Sequence, residues 1–384
     1  MATALYTRDT LQEKVHTIFE KRLHKKTQNS LSDAAFGILS SEKLQLHHIG
    51  EGLAGAASLT KKHAVKQVDR LMSNPAINPR YLAKSLVPFI IGEREQVLIS
   101  VDWTDFDADN QATLSLNMTT EHGRSIPLLW QTVDKDRLKY NRAHHEDDLL
   151  TRLRELISYD VEVIILADRG FSDHKFVKFL NEELNFYYVV RAKSDINVTD
   201  KKGKKQLTKA WLNPSGKMKC LENVKITNEL YGVDKFIALQ AKAMKDPWYL
   251  LSNCHHINAA TLVKYYGKRW GIECYFRDLK SESMGWGLEN FSTNKPARRD
   301  CMILVCSLAM ILLTLLGKAG EVLGFDKKLK VNTSKKRTHS LLRQGIFYQK
   351  YFGNFSDNEK QQLMEQYEYI LEQIPFCKTM LSVI

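Results

Sequence analysis

Val97–Trp103 reads VLISVDW, and Val161–Gly170 reads VEVIILADRG. Each is a short apolar run with an aspartate at its end, Asp102 in the first and Asp168 in the second. Runs of this length, rich in β-branched residues, suit strands buried on both faces. Ala112–Thr119 and Ser125–Trp130 adjoin the first run and read as its neighbours. Leu149–Ser158 and Lys175–Leu184 have helical spacing, and Phe186–Arg191 reads as a further strand. Strands that alternate with helices after an initial meander predict a mixed α/β sheet.

The chain divides around this centre. Residues 1–90 predict a helical region. Leu11, Val15, Ile18 and Phe19 recur at helical spacing, and Ser58 and Thr60 are both candidate caps for a basic amphipathic helix. Ala64, Val68 and Leu71 make the apolar face of that helix, and Lys61, Lys62, Lys66 and Arg70 the charged one. Two short helices before a basic helix resemble a helix-turn-helix, which makes Lys61, Lys62 and Lys66 candidate DNA contacts. A small helical bundle gives the same pattern. The α/β part then begins, 91–190, and 191–247 interrupts it with a basic insertion. Its short strand candidates are Lys219–Ile226 and Lys235–Ala241. WYLLSN restores a buried strand at 248, so 248–325 reads as the second part of the core and 326–384 as a basic helical tail that ends in a helix near Asn358–Gln373.

Composition narrows the partners. The 384 residues are 43% hydrophobic and 26% charged, which excludes a disordered, collagenous or membrane-embedded chain. The net charge of +12 favours an anionic partner, nucleic acid first. Cys301–Leu316 is apolar but shorter than the ~20 residues of a span, and Arg298, Arg299 and Lys318 flank it. It reads as a buried helix, with no membrane partner. Six cysteines without a CxxC pair argue against a disulfide framework or structural zinc. With no signal-peptide pattern in the first residues, the expected location is the cytoplasm. His47-His48, His144–Asp148 and Cys254-His255-His256 read as polar surface rather than metal sites.

The chemistry gathers at three points. Asp102 and Asp168 at strand ends can converge at one sheet edge and hold a divalent cation, although an aspartate there also simply starts a turn. Asp105, Asp107 and Asp109 follow closely and stay open as alternatives. The third point is YYGKRWGIECYFRDLKSES at 265–283. Tyr266, Arg269, Glu273 and Lys280 recur there as Tyr-x2-Arg-x3-Glu-x6-Lys, which on one helix predicts a single polar face. Glu273 suits a metal, Arg269 and Lys280 suit phosphates, and Tyr266 adds a hydroxyl. A solvated face of ion pairs is the other reading. Arg191 at a strand end is a phosphate contact or the start of the insertion.

These residues resemble the bacterial DDE transposases of the insertion-sequence-four family. The signature helix matches without a departure, and VDWT, ADRGF, YYVVR at 187–191 and DPWYLLSN at 246–253 extend the likeness over roughly residues 95–345. The resemblance implies an RNase H-like catalytic core with a β-rich insertion, flanked by helical terminal regions. It implies a metal-binding triad of Asp102, Asp168 and Glu273. Two Mg²⁺, with Mn²⁺ able to substitute, would lie about 3.5–4 Å apart for in-line displacement at phosphorus. It implies cut-and-paste transposition through hairpinned ends, with terminal inverted repeats and target DNA as partners. In the family Trp248 stacks on a flipped base; a buried strand tryptophan is the plainer reading. One apparent triad per chain and two element ends imply a homodimer on DNA, associated with the nucleoid. The alternatives are a transposase-derived DNA-binding protein or repressor, marked by loss of a triad carboxylate, and a structure-selective nuclease. None of the three carboxylates is missing.

Overall fold

The computed structural model describes residues 8–41, 43–282, 286–331, 333–335 and 337–372. Five helices come first: α1 (Arg8–Phe19), α2 (Lys25–Ser41), α3 (Leu46–Ala56), α4 (Lys61–Met72) and α5 (Pro79–Ile91). Thr60 caps α4, its hydroxyl accepting the His63 N–H at 3.4 Å. Ser58 does not, because it sits in the turn with φ at +50°. Asn78 caps α5 and Pro79 begins it, the usual chemistry of a helix start.

The meander follows as β1 (Gln96–Phe106), β2 (Gln111–Thr119) and β3 (Ser125–Asp134). Then come α6 (Arg142–Leu156), β4 (Glu162–Ala167), α7 (His174–Lys178) and β5 (Tyr187–Arg191). The helix expected through Leu184 closes as a π-turn over Phe179–Glu183. The insertion supplies β6 (Asn197–Thr199), β7 (Lys205–Leu207), β8 (Lys219–Ile226) and β9 (Tyr231–Leu239), and β10 (Trp248–Ser252) returns the chain to the centre. The two shortest of these, β6 and β7, carry no alternating pattern long enough to read.

All ten strands form one sheet in the order β3-β2-β1-β4-β5-β10-β9-β8-β6-β7. β1 runs antiparallel to β2 and parallel to β4, and β4 runs parallel to β5. This is the RNase H-like arrangement. Its central strands are apolar on both faces: Val97, Leu98, Ile99 and Val101 are fully buried, as are Ile164, Ile165 and Leu166.

Helices α8 (Ala259–Lys268), α9 (Trp270–Lys280), α10 (Pro296–Val322), α11 (Leu341–Lys350) and α12 (Asp357–Glu372) complete the protein. By length and composition α10 could cross a membrane, but 83% of its most apolar window is buried inside the protein, so it is a core helix. α2, α4 and α5 pack on α10, and α5 also packs on β3 and α6. The N-terminal helices thus share one hydrophobic core with the sheet. The five cysteines among the described residues are free thiols, and Cys377 lies outside those residues.

Candidate active site

Register builds the site. Val101 pairs with Ala167, and Ala167 with Val190. The next residues, Asp102, Asp168 and Arg191, therefore form a row across three adjacent strands, roughly 4.8 Å apart per step. The apolar strands hold the row in place, because a one-residue slip would turn every core side chain outward.

The helix pair α8–α9 covers this row. Arg269 is the joint, in helical conformation but outside both segments. Its guanidinium reaches Asp102 Oδ2 at 3.3 Å and also bonds Glu273 Oε1. Burial pushes the Asp102 carboxyl up to about 6; Arg269 opposes this, while the nearby Asp168 and Glu273 charges add to it. Arg269 thus joins Asp102 to Glu273, and the Asp168 charge acts on both Asp102 and Arg269. Asp105, Asp107 and Asp109 do not join them. Asp105 and Asp107 pair with Lys135, and Asp109 pairs with the fully buried Arg299.

The four signature residues do not make one solvated face. Tyr266 is buried, with its ring edge-on to Trp248 at 4.8 Å, and burial pushes its phenol up. Trp248 is half-buried on β10, on the side of α8. Lys280 stands at the far end of α9, where Nζ donates to the Asp105 carbonyl at 2.6 Å and lies 3.2 Å from Glu289. Arg191 donates to the Pro247 carbonyl at 3.0 Å and borders a cavity of about 620 Å³ beside Asp168, with Arg169 and Lys193 also on its wall. Lys61, Lys62 and Lys66 lie exposed on α4, and Lys61 pairs with Glu51.

One carboxylate escaped the sequence reading. Glu146, in the stretch read as a polar helix start, is buried and accepts the Trp103 indole N–H at 2.8 Å. Burial pushes its carboxyl up to about 7, and the Asp168 charge adds to the shift. The signal was its offset from Leu149, Leu150 and Leu153, which puts it on the buried face of α6.

Among the described residues no three acidic, imidazole or thiol side chains stand together as a ready-made metal cluster. The Asp168 carboxylate is turned to the Gly170 N–H at 2.7 Å, and a guanidinium stands between Asp102 and Glu273. The donor set is nevertheless all oxygen, and a cation already bridges two of its members. That chemistry fits hard divalent ions.

No curated protein compared with the chain matches it. Residues 94–312 match the transposase DDE domain family. That match covers more than half of the 384 residues and takes in the row, the helix pair and Glu146, so the protein belongs to the DDE-domain transposases.

Proposed function

We propose that this transposase moves an insertion sequence of the insertion-sequence-four type by a cut-and-paste route. It binds the terminal inverted repeats, cuts the element ends, most simply through hairpins, and joins the 3′-ends to target DNA. Asp102, Asp168 and Glu273 act as the metal-binding triad. Divalent-metal dependence is general among DDE transposases, and Mg²⁺ or Mn²⁺, when bound, supplies Lewis acidity at the phosphoryl oxygens. The carboxylates position that chemistry. Arg269 keeps Asp102 and Glu273 close before DNA arrives, by neutralising their repulsion. Arg191 and Lys280 hold phosphate oxygens, and Trp248, braced by Tyr266, receives an extruded base. Lys61, Lys62 and Lys66 contact duplex DNA from the N-terminal helices.

The observation that supports this most is the placement of Asp102 and Asp168 at the ends of two paired strands, with Arg269 joining Asp102 to Glu273 on the helix. The test is nicking of a terminal-repeat duplex in Mg²⁺. Asp102→Asn, Asp168→Asn and Glu273→Gln should each keep DNA binding and lose nicking. Retained nicking in Asp102→Asn with loss in Asp105→Asn would overturn the assignment.

A further inference from the structure

A second charged recess opens beside the catalytic helix. It is a cavity of about 420 Å³ between α9, the β2–β3 turn and the start of α11. Arg124 comes from the turn, Arg277 and Asp278 from α9, and His339 and Arg343 from the approach to α11 and its first turn. Arg124 Nε donates to Asp278 Oδ2 at 2.5 Å, and the Arg277 and Arg343 charges also act on Asp278. Three guanidiniums thus share one carboxylate. The described lining carries no second acid, so the recess holds an excess of positive charge.

That excess does not help folding. Like charges gathered around one recess repel, and Arg277 and Arg343 are exposed rather than packed. The bond described for Arg277 is to the Cys274 thiol at 3.6 Å, which balances no charge. The first turn of α11, capped by Ser340, adds its partial positive charge to the same mouth. An anion with several oxygens satisfies this arrangement, because guanidinium forks match phosphate geometry. No Trp, Tyr or Phe stands in the described lining to stack on a base, which favours a backbone phosphate over a nucleotide.

Position supplies the partner. Arg277 lies about one turn beyond Glu273 on the same helix, roughly 6 Å along its axis. A duplex whose scissile phosphate sits at the triad carries further phosphates past that point, with one charge per ~1.7 Å of axis. The geometry points to a phosphate cradle, formed by Arg124, Arg277 and Arg343, that grips the DNA backbone beside the catalytic site. The proposal rests on the protein acting on DNA, but not on which carboxylates cut.

The phosphates could come from the element end or from the target. The experiment measures affinity of the full-length chain for a terminal-repeat duplex as salt is raised, and separately for an unrelated duplex offered to the end-bound complex. R277Q/R343Q should reduce the log–log salt slope by about two units, and R277K/R343K should restore most of it. A loss on the terminal-repeat duplex assigns the cradle to the element end; a loss confined to the second duplex assigns it to the target. An unchanged slope on both overturns the cradle, as does equal loss in the lysine variant, which would indicate a packing role. If the double variant melts early, R343Q alone carries the test with an expected change of about one unit. Binding is the readout, so failure here is separate from failure of the triad assignment, which is read by nicking.

Discussion

Glu146 shows what a single buried carboxylate can report. It sits on the packed face of α6 and holds the indole N–H of Trp103, the neighbour of Asp102. Glu146→Gln keeps an acceptor for that indole, whereas Glu146→Ala leaves it unpaired. The alanine variant should therefore lose about 1–3 kcal/mol in denaturant unfolding while the glutamine variant loses less. Equal losses would mean that the indole bond carries no weight.

A second residue gives a pH signature away from the cutting site. Asp300 is half-buried, and desolvation pushes its carboxyl up to about 7 although the Thr132 N–H donates to it at 2.9 Å. Its folded value exceeds the ordinary value of 3.8, so the folded state holds the proton more tightly. The stability that this proton supplies is complete below about pH 4 and is lost as pH rises through about 7. Asp300→Asn should flatten that part of the stability–pH curve, by at most about 1.4 kcal/mol per pH unit. Thermal melts across this range, wild type against variant, check it.

At the scale of elements, α10 and α11 pack more closely than ordinary helices. A Cβ added at Gly317 would strike the Leu341 carbonyl, and one at Gly345 the Leu313 carbonyl. Backbone meets backbone there, with no flexible side chain to yield. Gly317→Ala or Gly345→Ala should each cost about 3 kcal/mol or more, read as a lower melting temperature. An unshifted melt would show that the two helices can separate without loss.

That contact also marks where sequence reading stops. The central strands were visible because each buries both faces and so carries an unbroken apolar run. Asp102, Asp168 and the helix bearing Glu273 stand out by strand-end position and helical spacing, which are local properties, but the choice of Asp102 over Asp105, Asp107 and Asp109 rests on the family resemblance. α11 lay hidden in a basic tail, because its glycines and Tyr348 acquire meaning only against α10. Tyr266 was expected among polar neighbours and is buried, because β10 brings Trp248 onto α8, a contact between residues on separate elements. Arg124, Arg277 and Arg343 come from three elements, and no spacing rule joins them.

For the whole molecule, charge and stoichiometry set the expectations. Each chain carries +12, so two chains repel until DNA phosphates neutralise them. On the proposed cut-and-paste route, two element ends and one proposed triad per chain would call for two chains. Light scattering should therefore find more monomer without DNA and two chains on paired ends. A single chain on paired ends would remove the argument for a dimer.

The continuity of the sheet has a mechanical consequence. The lysines at 201–205 sit on the hairpin of β6 and β7, at the far edge of the sheet that carries Asp168. Six strand-to-strand steps separate β4 from β7, and at ~4.8 Å each they span roughly 29 Å. No hinge need lie between, since every step is a ladder of backbone hydrogen bonds. On the proposed reading, with Asp168 at the cutting site, the insertion would work as a fixed gauge rather than a swinging arm: DNA backbone held at its tip would lie about eight base pairs, at ~3.4 Å each, from the bond placed for cutting. Lengthening the sheet by one hairpin would shift the cut, whereas softening a loop would only blur it.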